Sequence, residues 1–150
     1  MRRLRVPSLS FCPLGGFTRM STSSTKKVYA VDGRRFSTLA ECAAEFTRAL
    51  GLTMPWDGNL DAFNDFLRGG FGTPDEGFVL IWQHADVSRQ QLGYGETLRW
   101  LEERVHHCHP SNVPHFQERI AAARRQEGET LFDTLVAIVR DHEDIELRLE

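Results

Sequence analysis

The chain is short of everything that would tie it to a membrane, an oxidising compartment or a nucleic acid. It has only three cysteines, Cys12, Cys42 and Cys108, an odd number with no close pairing. That excludes a disulfide framework and fits a reducing compartment. No run of 18 apolar residues occurs, so no helix is expected to span a membrane. The first 27 positions contain no acid, yet they hold Arg2, Arg3, Arg5, Arg19, Lys26 and Lys27. A formal net charge of −3 therefore hides an acidic remainder, with 12 basic residues against 21 acidic ones from position 28 onward. The clustered Lys and Arg that a phosphate backbone demands are missing there, so direct binding of nucleic acid is not expected. Acid in such excess steers toward basic partners, or simply aids solubility.

Catalytic signatures are missing too. There is no C-x-x-C, H-E-x-x-H, G-x-S-x-G or P-loop, and Gly93-Tyr94-Gly95 is too short for a nucleotide fingerprint. His106-His107-Cys108-His109, with His115, offers zinc donors without a supporting motif. Histidines at a helix C-terminus are favoured electrostatically in any case, so neither metal nor cofactor is expected. Asp57, Asp61 and Asp65 with His84 or His142 could in principle hold Mg²⁺ for phosphoryl hydrolysis. Arg68 is the single nearby cation for a substrate phosphate, which leaves a metal-dependent hydrolase as the third reading.

What remains is a globular body of ordinary composition, 41% hydrophobic and 26% charged in 150 residues. That is one domain's worth of chain, able to build a core without disulfides or metal. Residues 1–25 stand apart. Their apolar stretch is broken by Pro7, Pro13 and Gly15-Gly16, so a secretory signal is not expected. Two readings stay open, a disordered tail or a start called too early with translation from Met20, and the second is preferred.

The domain is then read over 26–150. Val28 to Val31 forms a strand turned by Asp32-Gly33, and Thr38 with Glu41 makes a capping box for a helix closed by Gly51. Phe78 to Trp82 is an unbroken apolar run, the mark of a strand buried on both faces. A polar turn of helix surrounds Ser88 to Leu92, and helices are expected over Thr97–His107 and His115–Gln126. Thr130, with Asp133 at the capping-box position, opens a last helix, and Ile145, Leu147 and Leu149 alternate with charges in a final strand. Strands separated by helices imply crossovers and so a parallel sheet, giving an α/β fold of three parallel strands packed against helices.

One stretch carries more information than the rest. Trp56-Asp57-Gly58-Asn59 leads into Leu60-Asp61-Ala62-Phe63-Asn64-Asp65-Phe66-Leu67, and Gly69-Gly70 ends it. Asn59 is an N-cap residue, and Leu60, Phe63 and Leu67 make an apolar stripe at helical spacing. Asp57, Asp61 and Asp65 follow one another at four-residue steps, stacked along the remaining surface. Like charges so placed cost an isolated helix about 0.2–0.5 kcal/mol. A ridge that its own fold does not need is a candidate surface for a cationic partner.

The same residues resemble the barstar family, small intracellular inhibitors of secreted ribonucleases. The likeness extends to Lys27–Gly33, to Gly77–Trp82 and to 130–149, about 90 residues in all, interrupted by a helical insertion at 96–127 whose role is unknown. The resemblance implies the same three-stranded parallel sheet. It also implies that Asp61 and Asp65 enter a ribonuclease's cleft, Asp65 deeper, while Asn59 caps the helix and touches the partner's basic loop. Trp56 would pack on the partner from the loop shared with Asp57 and Gly58, and Asp141 corresponds to an acidic residue near the end of the family's last helix. The chain departs from the pattern in having one aromatic, with glycine directly before Asn59, and in Asn64, where the compact family member carries a large aromatic. These departures leave room for a related but different target enzyme. The expected partner is thus a basic ribonuclease or another cationic toxin or regulatory protein, bound by a cytoplasmic, non-enzymatic monomer.

Overall fold

The computed structural model describes residues 26–150, so the readings of the first 25 residues, Cys12 included, lie outside the described part. Three strands are separated by two and then four α-helices: β1 (Lys27–Asp32), α1 (Leu39–Leu50), α2 (Leu60–Leu67), β2 (Phe78–Gln83), α3 (Ala85–Gln91), α4 (Tyr94–Val105), α5 (Val113–Arg124), α6 (Leu131–Arg140) and β3 (Ile145–Leu149). The sheet runs β1-β2-β3 with both pairs parallel, and Val31, Trp82 and Leu149 stand side by side across it. The expected α/β architecture with three parallel strands is the one found.

One face of this sheet carries the core. Tyr29, Val31, Leu80, Trp82 and Ile145 are buried against Phe46, Phe63, Phe132 and Leu135 of the helices. Trp82 sits at its centre, in edge contact with Phe46 at 5.3 Å and with Phe132 at 5.1 Å, while its indole N–H donates to Ser88 Oγ at 2.9 Å. The other face is open. Val28 is 56% exposed, Ala30, Glu146 and Arg148 are exposed, and Ile81 is half-buried. The apolar run of β2 therefore overstates its cover. Val79 is buried, but Ile81 is only partly so.

Local signals explain most boundaries. Thr130 and Asp133 form a full reciprocal capping box at the start of α6. At α1, Thr38 Oγ accepts from Glu41 N at 3.2 Å, but the Glu41 carboxylate accepts from Ser37 N–H and Oγ–H, so the expected box is displaced by one residue. Gly51 closes α1 in the left-handed region at φ 61°. His84 adopts φ 55°, which turns β2 straight into helix and starts α3 at Ala85, ahead of the polar turn expected around Ser88. The helices expected at Thr97–His107 and His115–Gln126 begin two or three residues earlier, after Gly93 and with Pro114 in the first turn of α5. Together α4 and α5 form a hairpin with a small core of Leu101, Ile120 and Ala123, joined to the main core through Trp100.

Candidate protein-binding face

The site is assembled on α2 and the loop before it. Asp57 Oδ1 accepts from Asn59 N at 3.0 Å, and Asn59 Oδ1 accepts from Asp61 N at 2.8 Å and Ala62 N at 3.2 Å. Two side chains, in three bonds, thus hold the loop against the first turn of the helix and satisfy two of the helix's free N–H groups. Gly58 has φ 95°, a conformation closed to most L-residues, which accounts for glycine directly before the cap.

Beneath this loop lies Trp56, only 3% exposed. Its ring stacks on Phe63 with centroids 4.6 Å apart, and its Nε1–H donates to Asn59 O at 2.7 Å. The expectation that Trp56 packs on a partner is corrected here, because the side chain is buried, its ring is packed on Phe63 and Phe46, and its polar handle is used internally. It holds the loop up from below. Phe66, left out of the expected stripe, is buried with Phe63 and Leu67, while Leu60 lies half-buried at the edge of the core.

On the outward side of α2, Asp61 and Asp65 are both exposed. The carboxylate of Asp65 is 61% exposed, and its single ion pair is a 3.7 Å approach from Arg68, itself 68% exposed. Such a pair is worth little in water. No ion pair to Asp57 or Asp61 occurs among the described residues. Asn64, between the two acids, bonds His142 Nε2 at 2.7 Å. That bond brings the end of α6, with exposed Asp141 as its C-cap, alongside α2. Among the described residues no group of three His, Cys, Asp or Glu side chains is placed to hold a metal ion.

A family model described as barstar, the barnase inhibitor, matches residues 26–117, well over half of the chain. The chain belongs to the barstar family. The match covers β1 through α4, including the whole α2 site, and ends inside α5. The likeness read for 130–149 lies beyond it, where the structure itself supplies α6 and a third parallel strand. No curated protein matches the chain.

Two acids with buried side chains, which tie elements together, escaped the sequence reading. Glu45, 3% exposed in its side chain, accepts from Asp32 N at 3.1 Å, Arg35 Nε at 3.0 Å and Arg48 Nη2 at 2.7 Å. Burial acts to raise its pKa, but the bonds and charges of Arg48 and the Asp32 amide outweigh this and hold it below the ordinary 4.5. Glu96, 8% exposed, accepts from Leu39 N at 2.7 Å and from Arg99 Nη2 at 2.6 Å, so α4 caps the first turn of α1. Here too burial is opposed and exceeded, by the Arg99 and Leu39 bonds, and the pKa is lowered. Their arginine partners Arg48 and Arg99 stand only three positions on, but the backbone donors that enclose them are distant, Asp32 N 13 positions from Glu45 and Leu39 N 57 positions from Glu96.

Proposed function

We propose that this protein is a cytoplasmic inhibitor that binds a basic, barnase-type ribonuclease and closes its active site with α2. The observation that carries the reading is that Asp61 and Asp65 stand exposed on a family scaffold whose own charges do not use them. A ribonuclease must hold phosphate with cationic donors, and a carboxylate offers those donors the same charge and acceptor geometry. Asp65 is assigned to the deeper subsite, Asp61 to its neighbour, Asn59 and Asp57 to the rim, with Asp141 at the far edge beside Asn64. Gly58 serves by allowing the turn at φ 95° that sets Asp57 and Asn59 in place. Inhibition is steric and electrostatic, and needs neither cofactor nor turnover by the inhibitor, which acts as a monomer.

A second reading keeps the face and changes the target to another cationic protein. Its support is the loop chemistry, with Trp56 turned inward and Asn64 engaged by His142.

Barnase is the direct probe. One equivalent of the protein should abolish its cleavage of RNA, and Asp65→Ala should weaken that effect far more than Glu118→Ala on exposed α5. Equal effects of the two substitutions would refute the assignment of α2.

A further inference from the structure

Between the Asp57–Asn59 loop and α4 runs a groove of about 390 Å³. One wall is the loop and the start of α1, and the other is Arg99, Trp100, Glu103 and Arg104 of α4. At about 30 Å³ per water it holds on the order of a dozen waters. A protein seated on the loop meets one edge of this groove, because Asp57, Gly58 and Asn59 line it.

The walls differ in what they have left to offer. Arg99 is already neutralised by Glu96 at 2.6 Å and approached by Glu103 at 3.8 Å. Arg104 has no ion pair among the described residues, and its guanidinium lies 5.8 Å from the Trp100 ring centroid. In a body otherwise rich in acid, this is a cation held in place on an aromatic face. Arg119 sits over the same ring at 5.7 Å but lines a different depression, with Leu101 and His115. The two arginines therefore share one structural contact and differ in position relative to the groove.

We propose that α4, the first helix of the pair read as an insertion, is a second wall of the docking surface. Its groove receives a carboxylate-bearing loop of the same ribonuclease, with Arg104 as a specificity-determining residue. This rests on the reading of α2 given above. The partner thereby meets two charges in one contact, its cations on Asp57, Asp61 and Asp65 and its carboxylate on Arg104. That demand for opposite charges at a fixed spacing rejects basic proteins that satisfy the ridge alone.

The test measures binding of the full chain to barnase by wild type, Asp65→Ala, Arg104→Gln, Arg104→Glu and Arg119→Gln, with thermal unfolding of each. Binding should weaken about 3–10-fold in Arg104→Gln and more than 10-fold in Arg104→Glu, while Arg119→Gln stays within 2-fold. Arg119→Gln removes the same kind of contact with Trp100, so a merely structural role would move both arginine variants together. Loss in Asp65→Ala with Arg104→Glu unchanged overturns the groove and leaves the α2 reading intact. Equal loss in Arg104→Gln and Arg119→Gln also overturns it. A wild type that does not bind barnase overturns both.

Discussion

Two sets of carboxylates in this protein look alike in sequence and behave oppositely in the fold. Glu45 and Glu96 lie on helices, and each is enclosed and met by arginine and a backbone N–H. Asp61 and Asp65 lie on a helix of the same kind and stay exposed, with one long approach from Arg68 between them. The first set is consumed in joining elements, β1 to α1 and α1 to α4. The second joins nothing. Acidity counted along the chain cannot separate the two, but donors counted in space can, and only the second set remains available to a partner.

The largest effect should come from crossing this division. Asp65→Ala is expected to weaken binding to barnase by about 100-fold or more, on the order of 3 kcal/mol, as at a buried interface hot spot. Its fold should be unaffected. Titration calorimetry beside thermal unfolding would measure both, and a large loss of folding stability in this variant would erase the distinction.

Glu45→Ala should show the reverse. The substitution strands the part-buried Asp32 amide and returns two exposed arginines to water, so stability should fall by about 1–2 kcal/mol, roughly 3–6 °C in Tm. Affinity for the ribonuclease should remain within 2-fold, since Glu45 has no part in the α2 face. Denaturant unfolding with unchanged m-value would show that the contact, not the unfolded state, carries the loss.

These two residues also mark what was legible from sequence. The α2 cap and the Thr130–Asp133 box rest on bonds that close within a few residues, while the sheet, whose bonds join strands far apart in the chain, was legible from the order of strands and helices, since crossovers impose the parallel sense. Trp56 was misassigned because a buried and an exposed tryptophan beside a loop have the same sequence neighbourhood; only its stack on Phe63 decides. Glu96 was invisible because its partner is the Leu39 amide, and Glu45 because its donors come from a turn and a strand as well as from its own helix. The open sheet face was missed for a related reason. An apolar run shows what could be covered, and Val28 shows that it need not be.

Acid should sharpen the comparison further. Glu45 and Glu96 both have folded-state pKa values below the ordinary 4.5. Their contribution to stability is thus fully present above that value and is lost as pH falls through the lower folded-state values. Tm should be level from pH 7 to 5 and fall below about 4.5, and in Glu45→Ala that acid-side fall should be shallower. A fall of equal steepness in this variant would mean that other carboxyls carry the acid sensitivity.

The smallest expected effect is the most telling for α2. Removing Asp65 relieves repulsion from Asp61 one turn away, worth about 0.2–0.5 kcal/mol, and forfeits a similar amount with Arg68. These nearly cancel. Alanine then adds its better helix propensity over aspartate, so Asp65→Ala should fold about 0.5 kcal/mol more stably, roughly 1–2 °C in Tm. A residue whose removal stabilises the helix that bears it is not explained by that helix. Its account must lie in something the helix meets, and a Tm that fell instead would return Asp65 to the company of Glu45.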